Sequence, residues 1–195
     1  MYFTRYQMYK KIFSALDLPI CGDILGVSGL KFWRGSKNYT PPFPIIADEA
    51  IITEAHYPNI RMEALPYADN TFDIVIADQV IEHIEGDVQI AINEARRVLK
   101  KGGIAVIATV FIQPIHWGPK DLWRFSPDAL RYLCRDFSRI IQCEGWGNRW
   151  AHALFFLYPK SRTWQIPERK WSIRRFLAIK NDVCYPQVTW IIAKK

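Results

Sequence analysis

The sequence predicts an α/β domain built on a mainly parallel β-sheet. Two runs, 72–78 and 104–111, are continuously apolar and rich in β-branched residues, as is typical of strands covered on both faces. Between them, residues 87–100 place apolar side chains on one stripe of a helix and polar side chains opposite. This order favours parallel strands joined by a crossover helix, with any ligand beyond the carboxyl ends of the strands.

The remaining elements follow from local patterns along the chain. Residues 6–16 repeat apolar side chains at three- and four-residue spacings, which predicts an amphipathic helix that Pro19 ends. The run 22–29 ends in Gly-x-Ser-Gly and indicates a strand that enters a tight turn. Ser126 and Pro127 are typical of a helix start. That helix is expected to reach about 137, with further strands at 51–54, 60–65, 139–144 and 187–193 and a proline-rich loop over 30–50.

Length and composition favour one globular domain over residues 1–195, since half of the residues are apolar and 14% are aromatic. No run approaches the ~18 apolar residues of a membrane span, and the N-terminus lacks the apolar core of a signal peptide. These features predict a cytoplasmic protein. Cysteines are scattered without a close pair, so we expect free thiols, neither disulfides nor zinc, and a metal-independent reaction. They are Cys21, Cys134, Cys143 and Cys184.

The net charge of +7 is concentrated in a basic segment near the C-terminus. Residues 160–180 carry seven lysines and arginines against the single acid Glu168, together with Trp164 and Trp171. We interpret about 158–182 as a basic insert that contains tryptophan. Such an insert can bind phosphate backbones, nucleotide-linked substrates or an anionic membrane surface. It can equally be a solvated face whose tryptophans pack on the domain.

The stretch 65–103 resembles the signature of a known family. Residues 65–84 read LPYADNTFDIVIADQVIEHI and residues 93–103 read NEARRVLKKGG, similar in order and spacing to the type-11-like methyltransferases. Residues 114–130, PIHWGPKDLWRFSPDAL, and residues 145–148 are similar to one subgroup. The resemblance implies a Rossmann-like class I methyltransferase fold with a mostly parallel, seven-stranded sheet. It also implies S-adenosylmethionine as methyl donor and an acceptor pocket near 111–124.

The resemblance implies a donor loop at Gly26, Ser28 and Gly29, where glycine lets the backbone approach a ligand closely. This loop usually carries an acidic residue. In this sequence that residue is Asp23, or Gly26 stands in its place. At the end of the second strand an acid normally accepts the ribose hydroxyls. Glu54 fits this role, and His56 is the alternative if the register slips by two residues.

Two further donor contacts follow from the same resemblance. Arg61 and Met62 occupy the positions that usually face adenine. Arginine has donors only, so Arg61 is expected to stack on the ring while the Met62 backbone bonds it. Asp78 and Gln79 follow the next strand and are expected to face the methionine end of the donor. Asp78 would compensate for a missing loop acid by pairing with the ammonium group of the donor.

Candidate acceptor-site residues lie on the loop after 104–111, where function is common. His116 is expected to take a proton from an acceptor hydroxyl or amine. Arg124 is expected to clamp a carboxylate or phosphate, or to pair with Asp121 as a structural staple. The dipeptide Glu-His at 82–83 can be interpreted as catalytic or as structural. The structural interpretation, in which the dipeptide orders the turn at a helix start, is favoured. His152 stands in an apolar stretch and is expected in the core.

The predicted function is a S-adenosylmethionine-dependent methyltransferase acting on oxygen or nitrogen of a small-molecule or glycan-related acceptor. Because the sulfonium is already activated, alignment supplies much of the rate and no catalytic base is required. One alternative is a nucleic-acid methyltransferase or binder that uses the 160–180 segment. Another is a non-catalytic interaction module, suggested by the departures at Gly26 and Arg61.

Overall fold

The structure, a computed structural model, describes residues 3–34, 45–116, 118–167 and 171–195. One sheet contains the strands β1 (Asp23–Val27), β2 (Ile51–Ala55), β3 (Phe72–Asp78), β4 (Leu99–Val110), β5 (Arg139–Trp146) and β6 (Val188–Lys194). The α-helices are α1 (Tyr6–Ser14), α2 (Val88–Val98), α3 (Pro127–Leu133), α4 (Arg149–Leu157) and α5 (Ile173–Ile179). Short 3₁₀ turns occupy Phe3–Arg5, Ile81–His83 and Pro159–Thr163.

The sheet has the order β2-β1-β3-β4-β6-β5. Strands β1 to β4 are parallel, and β6 runs antiparallel to both β4 and β5. The predicted α/β class with a mainly parallel sheet is therefore confirmed. From β1 the chain moves outward to β2 and then returns to β3 on the other side. The carboxyl ends of β1 and β3 thus flank a topological switch point, where open α/β sheets bind ligands.

The strand predicted at 60–65 is wrong, and with it the count of seven, because the sheet of the described residues has six strands. This segment forms turns. The Leu65 backbone NH donates to Glu94 Oε2 at 3.0 Å, and Arg97 Nη2 donates to the Leu65 carbonyl at 3.0 Å. Side chains of α2 thus replace the strand partner that the Leu65 backbone would otherwise need.

The junction of α2 with β4 also differs from the prediction. The helix ends at Val98, two residues earlier than predicted, and β4 begins at Leu99 without a loop, five residues before the predicted strand. Lys100 therefore lies within the strand. Its Nζ lies 2.8 Å from both Asp23 Oδ2 and Asp73 Oδ2, where it joins the amino ends of β1 and β3.

The two helices α4 and α5 were not predicted. Asn148 connects them, because its Oδ1 accepts from Ala151 N at 2.8 Å while its Nδ2 donates to the Leu177 and Lys180 carbonyls at 3.0 Å. The other helix starts match, including the cap of α3 by Ser126, but α1 and α3 end earlier than predicted. The prolines of the predicted 30–50 loop, at 41, 42 and 44, lie outside the described residues.

Apolar side chains cover both faces of the sheet. Helices α2 and α3 pack on one face, while α1, α4 and α5 pack on the other, where Trp146 and Trp190 are fully buried. Cys134 and Cys143 are buried thiols, and the other two cysteines are exposed. Throughout the described ranges, no helix has the length and apolar character needed to cross a membrane.

Candidate active site

A cavity of about 230 Å³ opens at the switch point, beside the carboxyl ends of β1 and β3. Its walls come from the turn after β1, the 57–63 segment, the turn after β3 and the loop at 118–119. Of the predicted donor-binding residues, Ser28, Met62 and Gln79 line it. Arg61 and Glu63 also line it, and Arg61 Nη2 donates to Glu63 Oε1 at 2.7 Å.

The loop after β1 is shaped by two left-handed residues, Ser28 at φ 63° and Gly29 at φ 91°. Gly26 lies within β1, where a Cβ would approach Leu30 Cγ to 2.6 Å. Leu30 is buried, so this glycine makes room for a core side chain. Asp23, the alternative loop acid, begins β1 at the opposite end of the strand and pairs with Lys100. The alternative in which Asp23 serves the donor loop is therefore wrong.

The Glu54 carboxylate lies beside His56, the alternative residue predicted for the ribose contact. Glu54 Oε2 lies 3.0 Å from His56 Nε2, and Glu54 Oε1 lies 3.5 Å from Arg34 Nη1. The Glu54 side chain is 28% exposed. A ligand hydroxyl that binds the Glu54 carboxylate would replace one of these two ion pairs. Such exposed pairs contribute little to stability.

Asp78, at the end of β3, meets the N-terminal helix. The Tyr9 hydroxyl donates to Asp78 Oδ2, and burial followed by the Asp78 carboxylate raises the pKa of Tyr9 well above its usual value. Asp78 Oδ1 is buried and has no hydrogen-bond partner among the described residues. The same holds for the side-chain nitrogen of Gln79, whose backbone is left-handed at φ 61°. Two consecutive residues at the end of β3 therefore each carry a buried polar atom that lacks a hydrogen-bond partner among the described residues.

The loop after β4 is bound to the turn after β3. The backbone NH groups of Leu122 and Trp123 donate to the Glu82 carbonyl at 2.8 and 3.1 Å. Trp123 Nε1 donates to the Ile84 carbonyl at 2.8 Å, and Lys120 Nζ lies 3.0 Å from Glu85 Oε2. The two sequence motifs at 82–83 and 114–130 thus form one structural unit.

Asp121 and Arg124 form a bidentate pair inside this unit. Arg124 Nη1 donates to Asp121 Oδ1, and Arg124 Nη2 donates to Oδ2 at 2.6 Å. The Asp121 carboxylate is fully buried, and the Arg124 guanidinium lowers its pKa to about 2. The backbone NH of His116 also donates to Asp121 Oδ2 at 3.0 Å. This arrangement is that of the structural staple, since it occupies both guanidinium ends within the loop.

Three further side chains converge beside the staple. His83 Nε2 and His116 Nε2 are 3.2 Å apart, and Glu82 is fully buried with Oε2 accepting from Thr109 Oγ1 at 2.8 Å. One ligand atom from each of Glu82, His83 and His116 lies within 4.8 Å of the others. Burial lowers the pKa of His116 and raises that of Glu82. The structure thus brings three candidate metal ligands together, and the metal-independent reaction expected from the sequence stays a prediction.

Part of the chain matches a known protein family. Residues 46–107 match the methyltransferase domain family. YafE, an uncharacterised Escherichia coli protein, is 42% identical over 69 residues, which are 35% of this chain and 32% of YafE. Malonyl-[acyl-carrier protein] O-methyltransferase of Erwinia billingiae is 27% identical over 100 residues, 46% of this chain and 39% of that enzyme. The family match thus covers 62 of the 195 residues, about a third of the chain.

A solved methyltransferase supports the fold over nearly the whole chain. Phosphoethanolamine N-methyltransferase 2 of Haemonchus contortus, in complex with S-adenosyl-L-methionine, aligns with 97% of this chain and 52% of its own. The TM-score is 0.57 at 14% sequence identity. The chain spans 32 to 39% of the length of the two curated relatives. These comparisons agree with the predicted resemblance to the methyltransferase domain family and confirm the predicted fold class.

The residues of this methyltransferase domain fit the donor at its methionine end. A carboxylate oxygen without a partner, Asp78 Oδ1, suits an ammonium group, and the unsatisfied amide of Gln79 suits a carboxylate. At the adenine end, the backbone of Met62 is the group that can bond the ring, because the Met62 side chain is buried in the core. Gly26, Gly29, Glu54 and Asp78 are not among the residues of the cavity wall, so their donor roles stay predictions.

The two tryptophans of the basic segment have different surroundings. The Arg174 guanidinium lies 4.3 Å from the ring centre of Trp164, so this tryptophan packs on the protein. Trp171 is 99% exposed. Glu168, Arg169 and Lys170 lie outside the described residues, as does Trp117.

The prediction that His152 is a core residue is wrong. It is only half-buried, and its Nε2 lies 3.0 Å from the Tyr185 carbonyl oxygen. The apolar residues around it form α4, which buries Ala151 and Phe155 but leaves Phe156 and Leu157 exposed. The apolar run is therefore amphipathic, and His152 lies at the margin of its buried face.

Proposed function

We propose that this chain binds S-adenosylmethionine in the cavity between β1 and β3 and methylates an oxygen or nitrogen atom of a small-molecule or glycan-related acceptor. The observation that carries this proposal is the position of the cavity, which lies at the switch point and is lined by both Gln79 and His83. It thus adjoins the unsatisfied groups after β3 on one side and the His83–His116 cluster on the other. The bound donor supplies an already activated methyl group.

The donor is held by residues at the ends of β2 and β3 and by the segment between these two strands. Asp78 Oδ1 accepts from the ammonium group, and the Gln79 amide donates to the carboxylate. Glu54 accepts the ribose hydroxyls, while the Met62 backbone and the Arg61 side chain contact adenine. Support for the first two roles is the lack of any other partner for these buried atoms in the part of the chain that the structure describes.

The acceptor is aligned by the loop after β4. The Asp121–Arg124 pair fixes this loop, so His116 is placed without further ordering when the acceptor binds. Because burial lowers its pKa, His116 is neutral at pH 7. It offers a nitrogen lone pair for the acceptor proton, either directly or through an ion held between the two imidazoles.

Calorimetry with S-adenosylmethionine and S-adenosylhomocysteine tests donor binding directly. We expect one site per chain, and we expect Gln79→Ala to weaken binding about tenfold because it removes a hydrogen bond to a charged group. Gln89→Ala on α2 serves as the matched control. The Gln89 side chain donates to Asn93 Oδ1 and to the Leu133 carbonyl of α3, away from the cavity wall. The absence of heat and of thermal stabilisation at millimolar donor would favour the interaction-module alternative. Transfer of a labelled methyl group to panels of sugars, phenols and amines then identifies the acceptor class.

Nucleic acid is a second candidate acceptor, favoured by the full exposure of Trp171 within a segment whose sequence is rich in lysine and arginine. Exposed aromatic and basic side chains together bind single strands by stacking and charge. RNA or DNA binding that weakens steeply with salt and with Trp171→Ala would support this candidate. Binding that is insensitive to both changes would exclude it.

The domain organisation and the location remain proposals of the same kind. We propose one domain over 1–195, because helices from both ends of the chain, α1 and α5, pack on the same face of the sheet. The basic insert at about 158–182 then belongs to this domain and ends before β6. The cytoplasmic location inferred from the sequence stays a prediction.

A further inference from the structure

The neighbours of the two ring Nδ1 atoms favour a proton on each of them. His83 Nδ1 lies 2.9 Å from the Lys120 carbonyl oxygen, which only accepts, so Nδ1 donates to it. His116 Nδ1 lies 3.0 Å from Asp121 Oδ2 without the alignment of a hydrogen bond, and a proton on Nδ1 avoids placing a nitrogen lone pair against the carboxylate. When each ring carries its single proton on Nδ1, the two Nε2 lone pairs face each other across 3.2 Å, an arrangement that a cation between them stabilises.

We propose that Glu82, His83 and His116 bind one divalent transition-metal ion, such as Zn²⁺ or Co²⁺. Two nitrogens bound to a tetrahedral zinc ion are about 3.3 Å apart, close to the separation of the two Nε2 atoms. Metal-binding histidines commonly donate their other ring NH to a carboxylate or a backbone carbonyl. Asp121 and the Lys120 carbonyl stand in those two positions.

Glu82 supplies the third ligand. Its side chain is fully buried, and Oε1 has no hydrogen-bond partner within the described ranges, while Oε2 is engaged by Thr109. A buried carboxylate oxygen without a partner is costly unless a cation lies nearby. Three protein ligands leave one position of a tetrahedral ion open, as catalytic zinc sites do. An acceptor hydroxyl at that position would lose its proton more readily.

Metal titration of the whole chain, stripped with a chelator and without methyl donor, tests the site. We expect one Co²⁺ per chain with the visible absorption bands of a four- or five-coordinate ion, and Zn²⁺ displacing it. His83→Gln and His116→Gln should each weaken binding more than tenfold. Glu82→Gln keeps the shape of the side chain and should weaken it as well. His152→Gln, a half-buried histidine outside the cluster, is the matched control and should bind as the wild type does.

The outcome separates the metal site from the methyl-donor proposal, because no donor is present in the titration. Co²⁺ bands that persist in His116→Gln with unchanged affinity would overturn the site, as would bands lost equally in His152→Gln. A wild type that gives no bands, and no Zn²⁺ heat beyond that of the His116→Gln variant, would also overturn it and leave a proton as the bridge between the imidazoles. Cooperative thermal unfolding of each variant confirms that a loss of binding is not a loss of fold.

Discussion

The two sides of the crevice differ in how they hold their charged groups. On the donor side, Glu54 pairs with Arg34 and His56, and the three side chains are 28 to 59% exposed. On the acceptor side, the carboxylates of Asp121 and Glu82 are fully buried and tied to neighbouring loop and strand atoms. Exposed pairs are worth little and rearrange easily, whereas a buried network fixes geometry. The donor side is therefore open to reordering by its ligand, while the acceptor side is organised in advance.

Removal of the buried carboxylate should produce the largest effect. Asp121→Ala leaves Arg124 without its main partner and His116 without its support, and we expect the free energy of unfolding to fall by about 3 kcal/mol. Asp69→Ala breaks another aspartate–arginine pair, with Arg97, but Asp69 is 66% exposed. That control should lose less than about 1 kcal/mol in the same denaturant titration. Equal losses in the two variants would remove the distinction between the two sides.

The pH dependence of stability should report the same buried group. The pKa of Asp121 is lowered to about 2 in the folded chain by the Arg124 hydrogen bonds, against a usual value of about 3.9. Its contribution, about 2.6 kcal/mol, is therefore present above about pH 4 and is lost as the pH falls through about 2. We expect the stability difference between wild type and Asp121→Asn to shrink over this window. A difference that stays constant from pH 6 to pH 2 would assign the effect to packing.

The fold was predictable because its buried strands carry signals that need only local sequence. The centre of β3 and the second half of β4 are mainly apolar, and the helix between them is amphipathic, so type and order followed directly. The strand expected at 60–65 failed for a non-local reason. Its apolar residues Met62 and Leu65 are buried as a strand would bury them, but its backbone is satisfied by Glu94 and Arg97 of α2.

The candidate site was only partly predictable. Single residues such as His116 and Asp78 were found because they follow strand ends, a rule that depends on the order of elements. The convergence of His83 with His116 was missed because 33 residues separate them. Their meeting depends on the register of β3 against β4, in which Asp78 lies opposite Ala108. The signal was present as a Glu-His pair after one strand and a histidine after its neighbour.

Overpacking of the donor loop tests why Gly26 is a glycine. Gly26→Ala places a methyl group 2.6 Å from Leu30 Cγ, and we expect a loss of about 1–3 kcal/mol in unfolding free energy. In the double variant Gly26→Ala with Leu30→Ala, the two changes should cost less than the sum of the single variants. Additive losses would show that Gly26 is not needed for the packing of Leu30. They would favour the predicted role of Gly26, in which the backbone approaches the methyl donor closely.

The smallest effect on stability is expected at Glu54, where the donor side is most exposed. Glu54→Gln removes a charge from two surface pairs, so the unfolding free energy should change by less than about 0.5 kcal/mol. If the carboxylate accepts the ribose hydroxyls, donor affinity measured by calorimetry should nevertheless fall about tenfold, because charge-assisted hydrogen bonds are lost. Glu144→Gln, which removes an exposed pair with Lys11, should change neither quantity. Unchanged donor affinity in Glu54→Gln would move the ribose contact to His56 and leave the donor side without a fixed acid.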